Sequence, residues 1–285
     1  MHFPHWLSQP AVRTTFGLLA AASWYATQIE PRWLRVQRLT LVLPKLPPAF
    51  DGYRIAHFSD QHLGVRGADQ MLARAVQIIN RESPDLVAMT GDLVTWSRRV
   101  RIQVADAAPL ADLHAPDGVW SVLGNHDWPN LTFVNTLITS TGGTLLRNQA
   151  HVIQRGEDRM ALLGLDNVSR GVPDLNAAFA TVPANTPAIV MVHEPDFAPA
   201  AAAHPSIMLQ LSGHTHGGQI VPIPGHAVLL PRYGRTHFYG LTPIHHMWLY
   251  ITNGTGTGRF VARWNCRPEI AMITLRCARR IKPVL

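Results

Sequence analysis

Five short apolar runs in this chain each end by releasing an Asp, His or Asn into a loop. Tyr53–Phe58 leads to Ser59-Asp60-Gln61-His62, and Leu86–Met89 leads to Thr90-Gly91-Asp92. Val119–Leu123 is followed by Gly124-Asn125-His126-Asp127, Ala188–Val192 by His193, and Ile207–Leu211 by Ser212-Gly213-His214-Thr215-His216-Gly217-Gly218. Runs of this length, bounded by turn residues, read as buried strands. Between several of them lie stretches at helical spacing, such as Met71, Leu72, Ala75, Val76, Ile78 and Ile79 within 68–81. Strands alternating with helices predict an α/β fold. In open α/β sheets ligands sit beyond the carboxyl ends of the strands, so the five loops are expected to converge on one site. The His214/His216 loop alone does not choose between a metal-ligand pair and a loop that binds nothing. Core histidines scattered by chance would have no reason to fall at strand ends.

Composition narrows the class. The chain has 285 residues, 47% hydrophobic and only 15% charged, which excludes a disordered protein. Lys and Arg exceed Asp and Glu by 25 to 18, a net +7 that suits an anionic partner such as a phosphate ester, a nucleic acid or an acidic membrane. Two cysteines, Cys266 and Cys277, are too few for a disulfide scaffold and read as free thiols.

The amino-terminal segment, 1–45, stands apart from the domain expected over 46–285. The stretch from Thr14 to Ile29 carries no charge and is flanked by Trp6, Trp24, Tyr25 and Trp33. A spanning helix needs about 20 apolar residues, so this run is marginal. A short membrane anchor, an interfacial helix and an ordinary helix packed on the domain all compete; membrane association is favoured by the aromatic flanks. Arg32, Arg35 and Arg38 follow the run while Arg13 precedes it, so the positive-inside rule places the main domain in the cytoplasm. Further strands are expected at 33–43, through 145–165 with a turn at 155–158, at 247–252 and at 270–275, and helices at 131–138 and 196–203.

The ordered set Asp60-x-His62, Gly91-Asp92, Gly124-Asn125-His126-Asp127, His193 and Gly213-His214-x-His216 resembles the calcineurin-like metallophosphoesterases over about 53–275. The strings Ser59-Asp60, His193-Glu-Pro-Asp196 and Gly213-His-Thr-His-Gly-Gly-Gln219 look like the small, membrane-associated bacterial branch. That resemblance implies a four-layer sandwich of two mixed β-sheets flanked by helices. It also implies two divalent metal ions with Asp92 bridging them. Asp60, His62 and His216 would complete one metal site, and Asn125, His193 and His214 the other. His126 would protonate or stabilise the departing oxygen, with Asp127 orienting its ring. The expected reaction is hydrolysis of a phosphodiester or pyrophosphate by metal-bound hydroxide, on a substrate that in some members of the branch is a lipid-linked nucleotide.

The residues make chemical sense without the name. Two dications about 3.5–4 Å apart clamp the attacking and leaving oxygens of an in-line displacement, and they need a bridging anion. Mixed imidazole and carboxylate ligands favour Mn, with Fe, Zn, Co or Mg as alternatives, over Ca. A nuclease or cyclic-nucleotide phosphodiesterase ranks lower, since the chain has no dedicated nucleic-acid module and no basic stripe with interleaved aromatics. A non-catalytic metal-binding scaffold is disfavoured by the complete ligand set and His126. His57, inside its strand, reads as a core histidine; His226, His237, His245 and His246 as surface or structural residues; Arg232, Arg235 and Arg259 as solvated. Gly254-Thr-Gly-Thr-Gly258 lacks the Lys and helix of a P-loop and reads as a flexible turn. No Gly-x-Ser-x-Gly elbow is present, which argues against a serine hydrolase.

Overall fold

A computed structural model of the chain describes residues 10–95, 102–258 and 260–278. Trp6 and Arg259 lie outside them. Twelve strands form in chain order: β1 (Arg35–Leu43), β2 (Arg54–Phe58), β3 (Leu86–Met89), β4 (Val119–Ser121), β5 (Thr144–Leu145), β6 (Gln149–Arg155), β7 (Asp158–Gly164), β8 (Ala188–Met191), β9 (Ile207–Ser212), β10 (Gly240–Ile244), β11 (Met247–Ile251) and β12 (Glu269–Cys277). Five α-helices accompany them: α1 (Pro10–Trp24), α2 (Ala68–Glu82), α3 (Leu131–Ser140), α4 (Leu175–Phe179) and α5 (Ala198–Ala202).

The strands make two six-stranded mixed sheets, ordered β1-β12-β2-β3-β4-β5 and β10-β11-β9-β8-β7-β6. Within the first sheet β2, β3, β4 and β5 run parallel; within the second β7, β8, β9 and β11 do. Three apolar cores separate four layers, as the family resemblance implies. Ala56, Phe58, Val87 and Met89 point outward onto Leu72, Ala75 and Ile79 of α2 and Val134 and Leu137 of α3. Their neighbours Ile55, Leu86 and Ala88 point the other way, against Leu162, Ile189, Met191, Leu209 and Leu211 of the second sheet. Leu163, Val190, Leu249 and Ile251 cover Ala178 of α4 and Ala198 and Ala201 of α5. The period-2 alternation of a strand buried on both faces produces these three interfaces.

The amino-terminal stretch is helical but does not pack on the domain as an ordinary helix would. α1 has no buried residue; Phe16, Leu18 and Leu19 are 55%, 67% and 61% exposed. No helix among the described residues is long and apolar enough to cross a membrane. The helix continues through a π-helical turn (Tyr25–Ile29) and a 3-10 turn (Glu30–Arg32), and there it is clamped. The buried Glu30 carboxylate accepts from the backbone N–H groups of Asn265 (3.1 Å) and Cys266 (2.5 Å). Arg263 N–H donates to the Ala26 carbonyl (2.8 Å), Tyr25 meets Trp264 edge-on, and the Arg267 guanidinium lies 3.9 Å over the Trp33 ring.

Candidate metal centre

β2, β3, β4, β8 and β9 end on the same side of the molecule and deliver all the expected polar residues to one place. The loops are knitted by backbone bonds: Asp60 N–H to the Gly91 carbonyl (2.9 Å), His62 N–H to that of Asp92 (3.0 Å) and Gly213 N–H to that of His193 (3.0 Å). Contact between loops is so close that side chains have no room. A Cβ on Gly124 would fall 2.1 Å from Asp92 Oδ1, and one on Gly213 would fall 2.1 Å from Ser59 Oγ.

Two groups of buried ligand atoms result. Those of Asp60, His62 and His216 lie within 4.8 Å of one another, as do those of Asp60, Asp92 and His193. Asp92 Oδ2 sits 3.4 Å from His193 Nε2 and 3.7 Å from His62 Nε2, between the two groups. His62 Nε2 is 2.9 Å from His216 Nε2, and His216 Nε2 is 3.5 Å from Asp60 Oδ1. The outer nitrogens are held by neighbours: His62 Nδ1 by Thr95 Oγ1 (2.7 Å), His193 Nδ1 by the Thr90 carbonyl (2.6 Å) and His214 Nε2 by the Arg232 carbonyl (2.7 Å). Second partners of this kind fix ring orientation around a metal. Asn125 Oδ1, His193 Nε2 and His216 Nδ1 are buried with no hydrogen-bond partner.

The backbone is strained where these residues sit. Asp60, His62, Asp92, His214 and His216 all have φ between 51° and 71°. Left-handed backbone is uncommon in residues with a Cβ, and it clusters at functional sites. Five of the seven residues expected as ligands share it, which no structural need of the sheets explains.

Burial shapes the charge. It pushes Asp60 up to about 6, helped by the neighbouring Asp92. It drives His62 down to about 4, and holds His216 well below the ordinary imidazole range, with His62 adding to the effect. Burial opposes charge on His193 too, but the carboxylates of Asp92, Asp60 and Glu194 together outweigh it and hold that imidazole well above its usual range. The neutral imidazoles of His62 and His216, the buried carboxylates of Asp60 and Asp92 and the unpartnered Asn125 Oδ1 form a donor set of mixed nitrogen and oxygen. The residues present fit divalent metal ions.

Beside the cluster, His126 lines a cavity of about 680 Å³ whose other wall is apolar: Ile220, Val228, Leu229, Leu230 and Phe260. Its backbone N–H donates to Asp92 Oδ1 (2.8 Å) and its ring stands edge-on to that of His62. The expectation for Asp127 needs correcting. Its oxygens accept from the backbone N–H groups of Gly124 (2.8 Å) and Val94 (3.2 Å), so it ties the His126 loop to the Asp92 loop and does not orient the His126 ring. His57 is a core residue as read, its Nε2 2.8 Å from Thr90 Oγ1.

With this geometry in view, comparison with known proteins is decisive. The family model for calcineurin-like phosphoesterases matches residues 53–218. The chain belongs to that family. Like its relatives the phosphoesterase is a hydrolase of phosphate esters. YkuE of Bacillus subtilis, a metallophosphoesterase, is 32% identical over 92% of this chain and 94% of its own length. The phosphodiesterase YaeI of Escherichia coli K12 is 31% identical, over 93% of this chain and 97% of its own. The UDP-2,3-diacylglucosamine pyrophosphatase LpxG of Chlamydia trachomatis is 27% identical, over 93% and 95%.

One important residue of the phosphoesterase carried no sequence signal. Arg263 is fully buried and donates to the carbonyls of Asn253 (2.9 Å), Gly254 (3.2 Å), Gly256 and Cys266 (3.0 Å). It makes an ordered wall of the Gly254–Gly258 segment, which the sequence suggested was a flexible turn. Thr255 and Gly256 in turn donate to the carbonyls of Ser59 (2.9 Å) and Asp60 (2.8 Å). Cys266 and Cys277 are free thiols, and Cys266 Sγ–H donates to the His216 carbonyl (3.0 Å).

Proposed function

We propose that the phosphoesterase hydrolyses a phosphodiester or pyrophosphate bond at a two-metal centre held by Asp60, His62, Asp92, Asn125, His193, His214 and His216. The observation that carries this reading is the place of Asp92 Oδ2, 3.4 Å from His193 and 3.7 Å from His62, as a carboxylate shared between two cations requires. When bound, two dications supply a Lewis-acidic clamp on phosphate oxygens and lower the pKa of a water; mixed imidazole and carboxylate ligands suit Mn first.

The chain's own groups do the rest. His126 lies on the wall of the cavity, where its ring can give a proton to the departing oxygen. Asp127 positions that loop through backbone bonds. The names of YaeI and LpxG support a diester or anhydride over a monoester. LpxG acts on a lipid-linked nucleotide, and the apolar wall of Val228, Leu229, Leu230 and Phe260 favours a substrate with a lipid chain over a polynucleotide. The exposed apolar helix α1 supports membrane association through the 1–45 extension, and the Arg32, Arg35 and Arg38 cluster supports a cytoplasmic face for the domain 46–285.

The test is hydrolysis of bis(p-nitrophenyl) phosphate against the monoester by Mn-loaded protein, with Asp92→Asn and His126→Ala alongside. Turnover of the diester with losses of about a hundredfold or more in both variants is expected. An inert wild type that also leaves a lipid-linked nucleotide pyrophosphate intact would overturn the reading.

A further inference from the structure

A second cavity, of about 350 Å³, opens where the foot of α1 meets the start of α2. Arg32, Arg66 and Arg74 line it, together with Thr27, Thr255 and Thr257, and no Asp or Glu does. Asp69, exposed in the first turn of α2, does not face it. Arg74 donates to the Arg32 carbonyl (3.0 Å), and Arg32 to the carbonyl (2.5 Å) and side-chain oxygen (3.1 Å) of Gln28. None of the three arginines has a carboxylate within ion-pair distance among the described residues, whereas Arg35, Arg38, Arg54, Arg147, Arg155 and Arg276 all do. Three exposed arginines around one acid-free hollow make its potential positive and favour an anion there. Their planar forks match the oxygens of a phosphate.

The surroundings say where that phosphate comes from. One side of the cavity, Thr27, Pro31 and Arg32, is continuous in the chain with α1, whose Phe16, Leu18, Leu19 and Trp24 are all exposed, a state that water does not favour. The other side is Val261, 42% exposed, whose neighbour Phe260, 66% exposed, forms the rim of the cavity at the metal centre. The basic hollow is thus flanked by exposed apolar side chains on both sides, the combination that an anionic bilayer surface, with phosphates above acyl chains, accommodates.

We propose that the Arg32–Arg66–Arg74 cavity seats the phosphate headgroup of an anionic lipid. It holds the phosphoesterase against the bilayer, with the mouth of the metal centre beside the membrane. This rests on the reading of α1 as a membrane-seated helix and is independent of the catalytic reading. The clamp of Glu30 on Asn265 and Cys266 fixes the cavity and the metal centre relative to each other.

The full chain is tested by co-sedimentation with phosphatidylcholine vesicles, with and without phosphatidylglycerol, at low and high salt. Tighter binding to the anionic vesicles, weakened by salt, is expected. Arg66→Gln/Arg74→Gln should lose roughly 30-fold for anionic vesicles and keep the wild-type affinity for neutral ones. Its thermal midpoint reports folding, and Arg66→Gln alone, with a smaller loss, replaces it if the double variant unfolds. An anionic preference that survives the substitutions overturns the proposal and leaves α1 as the anchor. So does a wild type stabilised by inorganic phosphate but indifferent to vesicle charge. Binding to neither vesicle, with α1 covered instead by a second copy in concentration-dependent dimers, overturns the membrane reading as well.

Discussion

His62 Nε2 lies 2.9 Å from His216 Nε2, in a buried pocket where the two rings stack at an interplanar angle of 19°. Burial holds both imidazoles neutral, so at neutral pH their lone pairs are available to a ligand. Asp60 and Asp92 add carboxylates with little water to solvate them. A pocket of this kind is costly when empty and favourable once cations enter it.

Metal should therefore stabilise the fold. A ligand at a hundred times its Kd adds about 2.7 kcal/mol, which in a chain of this size is about 5 °C of thermal midpoint. Calorimetry should find that chelation lowers the midpoint by roughly that amount and that Mn restores it. His216→Ala, which removes a ligand of one site and leaves the Asp92/His193 group intact, should show a smaller response to both treatments. An identical midpoint with and without metal would speak against a metal site.

Arg263 is the second test. Replacing it with Met strips donors from four buried carbonyls; that of Gly254 still accepts from the Glu269 N–H (3.0 Å), while those of Asn253, Gly256 and Cys266 are orphaned at a cost on the order of 1 kcal/mol each. Urea unfolding should show a loss of about 3 kcal/mol. Hydrolysis should fall as well, because the Gly254–Gly258 wall that Arg263 braces is bonded to the carbonyls of Ser59 and Asp60. A loss below about 1 kcal/mol would mean that water or backbone movement replaces it.

His57 gives a pH signature away from the ligands. Burial lowers its pKa from 6.5 to about 3. A folded-state value below the unfolded one means that unfolding takes up a proton between pH 6.5 and about 3, so stability falls as pH drops through that window. At pH 5 the His57 share of the loss is about 2 kcal/mol. His57→Gln keeps a partner for Thr90 and removes the titration. Denaturation of chelated protein should find that wild type loses about 2 kcal/mol more than the variant between pH 7.5 and 5. Parallel losses would mean that His57 is solvated.

Much of the site was legible because its logic is local. Asp60, His62, Asp92, Asn125, His193, His214 and His216 each follow a short apolar run, and parallel strands carry such residues to one edge. What was not legible depends on partners far along the chain. Arginines are usually solvated, and the partners of Arg263 are carbonyl oxygens that no residue type announces. Asp127 stands next to His126 in sequence, yet its oxygens are used by Gly124 and Val94. β10 contains Pro243 and begins at Gly240, both poor strand residues; it is tolerated because it lies at the edge of its sheet. Neither the exposure of α1 nor the gathering of Arg32, Arg66 and Arg74 has a local signature.

The two-metal reading of the cluster has Asp92 shared between two cations, beside His193 and His62. Metal analysis and electron paramagnetic resonance of the Mn-loaded chain test it directly. Two Mn per chain with an exchange-coupled signal are expected, and loss of both the coupling and at least one ion in Asp92→Asn. A single uncoupled ion in the wild type, or a coupled pair that survives Asp92→Asn, would contradict it.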